Sequence, residues 1–226
     1  MSQGYILDFW PVAERWPALL GGIWMSLLLT AIGVAGGSAL GIFGALARRS
    51  RLRPLRWMMR GYVELFRNTP LLVQLFLIYL GLPTFGIRLS PLAAACLALV
   101  LNNAAYTTEI IRAGIAATPP GQVEAARSLA LRHWQILAFI VIRPALARVY
   151  PTLVSQNVLL MLSTGITSAI GVQELTAAAS DINSETFRSF EVFLASGVIY
   201  LLLNYAQRSL LWAASLRLFP NHRRWA

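Results

Sequence analysis

Apolar runs of bilayer length constrain this chain more than any other feature. Five can be read, at about 18–46, 57–82, 91–116, 136–162 and 190–216, each near the roughly 20 residues a helix needs to cross a hydrocarbon core. Inside a bilayer every backbone N–H and C=O must be bonded within the protein, so such runs are expected to be helices. The expected fold class is an all-α membrane protein with about five transmembrane helices. A chain that is 57% hydrophobic and only 12% charged does not read as a soluble globular domain. No linker, low-complexity segment or internal repeat divides it, so residues 1–226 read as one transmembrane domain. Met1–Trp16 lacks a basic leader region, and a cleavable signal peptide is not expected.

The charge pattern orients the spans. All 19 basic residues are Arg. Arg48, Arg49, Arg51, Arg53, Arg56 and Arg60 crowd the first connection. Arg112, Arg127, Arg132, Arg143 and Arg148 flank or occupy a middle loop, and Arg217, Arg223 and Arg224 lie in the tail. Five spans place those three regions on one side and leave Arg15, Arg88 and Arg188 on the other. The positive-inside rule then expects the N-terminus outside and the C-terminus in the cytoplasm. The net charge of +10 thus reads as topology. Nucleic acid is not an expected partner, because no basic groove with interleaved aromatics is visible.

The middle loop, residues 117–144, is not a flexible linker. Pro119 and Pro120 suit a helix start, where a missing N–H costs little, and Glu124 is placed near the positive end of that helix. Ala126, Leu129 and Ala130 recur at i, i+3, i+4 and form a small apolar patch on one face. A membrane protein that folds such a helix outside the bilayer is expected to touch a partner with it.

Several polar features interrupt the spans. Gly33, Gly37 and Gly41, flanked by Gly36 and Gly44, form a small-residue ridge that lets another helix approach closely. Glu64 and Arg67 are one turn apart and are expected to pair. Pro70 breaks the helix that follows, and Asn68 or Thr69 is expected to bond the freed carbonyl. Asn102, Tyr106 and Glu109 share a face of the third span, with Asn103 beside it. Such groups either line a cavity or bond neighbouring helices. Residues 163–191 read as a re-entrant or pore-facing segment with a short helix before Asp181. Asp8, Glu14, Asp181, Glu185 and Glu191 are read as solvated at outer edges. The lone cysteine, Cys96, falls within a span and is read as a packing residue.

Catalytic patterns are missing from the sequence. It has no GxxxxGK[ST] phosphate loop, no HExxH and no Cys-based metal site. Its two histidines, His133 and His222, lie in the middle loop and tail. No catalytic residues, metal ligands or cofactor are assigned to this chain.

Three blocks resemble one family, the permease subunits of bacterial ABC importers for polar amino acids of the histidine/glutamine/arginine/opine type. The first, Glu64 to Gln74, is similar to that family's E-x-F-R-x-T-P-L-L-V-Q and continues into Gly81-Leu82-Pro83. The second runs from Asn103 through Tyr106, Glu109 and Arg112 to Gly114, followed by Pro120-Gly121-Gln122. The third, Glu124-Ala125-Ala126, looks like the EAA signature of importer permeases. The resemblance covers about 20–217. At three points the chain departs from the family: Ala130 stands where Gly is usual, Arg143 replaces an apolar residue before Pro144, and Leu162-Ser163 replaces a Lys-Asp pair common before the Thr-Ser step, with Gly165 in the Ser place. A left-handed alanine costs about 1–2 kcal/mol, so the turn at Ala130 is expected to shift.

The resemblance implies an importer-permease fold in the bacterial inner membrane, dimerising with the same or a paralogous permease. Gly121, Glu124, Ala125, Ala126, Leu129 and Ala130 would form the coupling helix that docks on a separate ABC ATPase, which carries ATP and Mg. A periplasmic amino-acid-binding protein would deliver the substrate. Gln74, Asn103, Tyr106, Thr164 and Ser168 are the candidate substrate-pathway residues, chosen as polar side chains at pathway depth within membrane lipid. A gradient-driven secondary carrier and a non-transporting scaffold are the alternatives. The former is disfavoured by the absence of visible repeats.

Overall fold

The computed structural model describes residues 6–218. Its elements follow the apolar runs closely: a short α1 (Trp10–Glu14), then α2 (Trp16–Ala47), α3 (Arg53–Arg67), α4 (Leu71–Phe76), α5 (Pro91–Ala116), α6 (Pro120–Ser128) and α7 (His133–Gln135). α8 (Arg143–Ser163), α9 (Leu175–Thr186) and α10 (Ser189–Leu218) follow, and no strand occurs among the described residues. Trp16–Ala47, Pro91–Ala116, His133–Ile170 and Ser189–Arg217 are long and apolar enough to cross a membrane. His133, expected in a loop, is the first residue of α7. His222, Arg223 and Arg224 lie outside the described residues.

The run at 57–82 is not one straight span. α3 and the helical stretch Leu71–Phe85 meet at 111°. Pro70 is extended (φ −62°, ψ 139°) and has no N–H to continue the ladder. The carbonyl that Pro70 frees, Phe66 O, accepts from Gln74 Nε2 at 2.8 Å and not from Asn68 or Thr69 as expected; Thr69 Oγ1 donates one residue earlier, to Leu65 O at 2.8 Å. The expected Glu64–Arg67 pair does not form. Glu64 accepts from Arg60 Nε at 2.8 Å, and the corner turns Arg67 over the ring of Tyr106, 5.5 Å from its centroid.

Two π-helical stretches, Leu77–Gly81 and Ile136–Ile142, each lie just ahead of a proline, Pro83 and Pro144. A proline ring clashes with the carbonyl four residues earlier, and the wider π register relieves that crowding.

The most extensive helix pair is α2 with α5. A Cβ on Gly37 would stand 2.7 Å from Asn103, and one on Gly41 would stand 2.5 Å from Thr107. Without side chains there, the α2 carbonyls are open to donors. Asn103 Nδ2 reaches Gly33 O and Thr108 Oγ1 reaches Gly41 O, each at 3.2 Å. Lipid gives packed helices no hydrophobic advantage, so close backbone contact and such bonds hold them. The small-residue ridge is therefore consumed within the chain. Cys96 packs against the central core of Leu29, Leu75, Leu99 and Leu160.

A second cluster, Ala45, Ile111, Ile115, Val141 and Ala145, seats α6 through Val123 and through Ala126, which is 3% exposed. Ala130 does hold the left-handed conformation, at φ 56°, so the turn has not shifted. Leu131 N–H donates to Ala126 O at 3.2 Å and Ala130 N–H donates to Arg127 O at 2.9 Å. Those two bonds close the helix end in the Schellman pattern and offset the conformational cost.

Residues 164–170 continue α8 as a 3-10 turn ending at Gly171 (φ 85°). α9 then packs back against α2 and α10, so the segment folds into the bundle. Glu191, read as solvated, is fully buried and accepts from Asp8 N–H at 3.1 Å and Arg188 Nη1 at 3.5 Å. Its place in the first turn of α10 favours a buried carboxylate there. The other outer carboxylates keep exposure, with Glu185 paired to Arg15 at 2.7 Å.

Candidate functional site

The α6 region presents a shallow outer surface. Gly121, Glu124, Ala125 and Ala130 are exposed, and Leu129 is 76% exposed. The sequence patch is divided: Ala126 points into the protein, where it anchors the helix, while Leu129 stands free. Glu124 is the fifth residue of a helix starting at Pro120, just past the first turn, where the dipole effect has largely fallen off. What remains is a rigid, outward-facing ledge with a single large apolar side chain.

The candidate pathway residues fall into two groups. Gln74 is 6% exposed. Its amide nitrogen satisfies Phe66 O, Thr69 O and Thr69 Oγ1, and its oxygen accepts from Asn102 Nδ2 at 3.0 Å. Asn103 is fully buried, and its Oδ1 has no hydrogen-bond partner. Tyr106 is half-buried beneath Arg67. Thr164 is buried and donates to Met161 O, whereas Ser168 is half-buried and donates to Gly165 O, both at 2.7 Å. α4, which carries Gln74, packs on the 164–170 turn that carries Thr164 and Ser168, while Tyr106 stands beneath Arg67 at the corner and Asn103 faces α2. Tyr106 and Ser168 keep the accessible surface.

Sequence reasoning missed a buried carboxylate next door. Glu174 is fully buried and caps α9, accepting from Thr176 N–H and Ala177 N–H at 2.9 Å each. Tyr200 Oη adds a 2.7 Å bond and Ser26 Oγ a longer one at 3.4 Å. One side chain thus joins α2, α9 and α10. The signal available was an ionisable residue just after Gly171, inside a stretch already read as re-entrant.

At the arginine-rich end, Glu109 pairs with Arg112, whose Nε lies 2.9 Å from Oε2, and Arg48 stands 4.0 Å away. No group of three or more His, Cys, Asp or Glu suited to a metal occurs among the described residues.

A multi-span helical bundle with polar groups at mid-depth and a folded helix on its outside has the form of a membrane transport component. Residues 37–211 match the family described as "Binding-protein-dependent transport system inner membrane component", and the chain belongs to that family. It is 39% identical to the octopine transport system permease protein OccM of Rhizobium radiobacter, over 93% of this chain and 89% of that protein. It is 36% identical to the L-cystine transport system permease protein TcyB of Bacillus subtilis, over 86% and 84%. A crystal structure of an amino acid ABC transporter with histidines superposes with a TM-score of 0.87 at 37% identity. The match covers 94% of this chain and 100% of that one. The protein is therefore a multi-pass inner-membrane permease component of a binding-protein-dependent transport system.

Proposed function

We propose that the chain is the permease subunit of an ATP-driven importer for amino acids or opines. It forms the translocation pathway as a dimer with itself or a paralogous permease. The α6 ledge is the coupling helix: an ATPase subunit docks on Glu124, Ala125 and Leu129, and its ATP-driven closure rocks the two permeases between states by rigid-body motion. The observation that carries this is the build of α6. Its inner face is locked by Val123 and Ala126, its end is closed at Ala130, and Leu129 is left free. A force applied to such a helix passes to α5 and α8 instead of being absorbed locally. The printed names of the relatives support the substrate class.

In this reading the arginine-rich ends of α2 and α5 face the cytoplasm, and a periplasmic binding protein delivers substrate from the opposite side. ATP and Mg belong to the ATPase. Along the pathway, Tyr106 and Ser168 touch the substrate, while Gln74, Asn103 and Thr164 shape the wall behind them.

The test is uptake of labelled amino acids and opines in vesicles containing the chain, its ATPase and its binding protein. Glu124→Lys and Leu129→Asp, both exposed, are expected to abolish ATPase co-purification and uptake while insertion stays normal. Uptake that persists without the ATPase and follows a proton or sodium gradient overturns the reading in favour of a secondary carrier.

A further inference from the structure

α3 has three faces. Tyr62 and Val63 turn inward, Tyr62 Oη donating to Leu101 O at 2.6 Å. Met58 and Leu65 are each 60% exposed. Arg53, Arg56, Arg60 and Arg67 form the third face, at helical spacing. Beside it, the C-terminal ends of α2 and α5 close a cleft of about 670 Å³ lined by Arg48, Arg49, Arg56, Trp57, Arg60 and Arg112. Two carboxylates stand against these five guanidiniums. Glu64 holds Arg60, and Glu109 is shared by Arg112 and Arg48, so an excess of three positive charges remains. Arg49 and Arg56 have no carboxylate partner among the described residues.

We propose that this cleft binds the phosphate headgroup of an anionic phospholipid. Guanidinium forks match phosphate oxygens bidentately, and a cluster of arginines on an amphipathic helix at a span's end attracts acidic headgroups. The rim identifies the source of the phosphate. Trp57 lines the cleft and is 66% exposed, and Leu52 and Met58, close to it in the chain, are 63% and 60% exposed. Such side chains suit acyl chains and the headgroup boundary, where tryptophan concentrates, and have nothing to offer a free aqueous anion. α3 leaves its span at 111°, which places the charged face across the mouth of the cleft instead of along the bundle. The lipid bridges α2, α3 and α5 there, screening the unpaired guanidiniums from one another.

The experiment is native mass spectrometry of the purified full-length chain titrated with phosphatidylglycerol or phosphatidylcholine. One phosphatidylglycerol is expected to be retained per chain, at least tenfold more tightly than phosphatidylcholine. R49Q/R56Q removes two exposed guanidiniums that hold nothing in the fold, and is expected to lower that affinity at least fivefold with an unchanged melting temperature. R208Q/R217Q, on α10, is expected to leave it unaltered. Equal retention of the two lipids, or wild-type retention in R49Q/R56Q, overturns the proposal. Displacement of the lipid by millimolar inorganic phosphate also overturns it, making the cleft a site for free anions. If R49Q/R56Q keeps phosphatidylglycerol but loses the ATPase on co-purification, the cleft is a protein-docking surface and the lipid assignment fails.

Discussion

Removing the Glu174 carboxylate is a sharp test of how the segment after α8 is held. Truncation by Glu174→Ala strands the N–H groups of Thr176 and Ala177, which the carboxylate accepts at 2.9 Å each. Of the other two donors, Tyr200 Oη retains Thr176 Oγ1 at 3.0 Å, whereas Ser26 Oγ goes on accepting from Leu175 N–H at 3.2 Å but loses the acceptor of its own O–H, a long bond at 3.4 Å. A buried donor left unpaired costs about 1–3 kcal/mol, so the two N–H groups give a loss of about 2–6 kcal/mol. Glu174→Gln separates charge from geometry. With its amide oxygen in the place of Oε2 it still serves Thr176, Tyr200 and Ser26, but its NH2 group then meets Ala177 N–H donor to donor, so that N–H and the new amide donors lack acceptors, for a loss of about 2–5 kcal/mol. Denaturant-titrated unfolding of the purified chain in mixed micelles, followed by tryptophan fluorescence, measures both. A Glu174→Ala variant within about 1 kcal/mol of the parent refutes the reasoning.

Three further outcomes are expected. Gly37→Leu inserts a side chain where a bare Cβ already meets Asn103 at 2.7 Å; it should lose about 3 kcal/mol in the same unfolding assay, with Gly61→Ala, in open space, near neutral. Ala130→Gly keeps the left-handed turn without its steric cost and should gain about 0.5–1 kcal/mol, read as slower amide exchange at Leu131 with uptake preserved. Glu191→Ala leaves Asp8 N–H and Arg188 without the carboxylate they bond and should cost about 2 kcal/mol, whereas Asp181→Ala, at an exposed carboxylate, should change stability by less than about 0.5 kcal/mol.

The spans were legible because a bilayer allows little besides helices for long apolar runs. The expected 91–116 segment is α5 from its first residue to its last, with Ser90 capping its start. Pro119-Pro120 likewise marked the opening of α6. The corner at Pro70 was visible as a break, but its 111° angle depends on how α3 rests on α5 through Tyr62 and Arg67. Partner choice was least legible. Glu64 had arginines one turn away on both sides, and only the orientation of the corner gave it Arg60. The ridge of Gly33, Gly37 and Gly41 announced a close helix contact without saying whether the partner was another chain or, as found, α5.

The sequence alone settled the helical class, the span positions, the folded nature of the 117–144 loop and the family blocks, because each follows from local periodicity, proline placement or residue identity. Tertiary structure alone decided which polar groups are buried and whom they bond. Glu174 and Glu191 sit in irregular or terminal stretches where sequence spacing carries no direction. Their environment comes from α2, α10 and the N-terminal segment, 148 and 183 residues distant in the chain for the Ser26 and Asp8 contacts. The same holds for Ala130. Residue type argued against a left-handed turn, yet the two closing hydrogen bonds and the seat of α6 on the bundle outweigh about 1–2 kcal/mol of local strain.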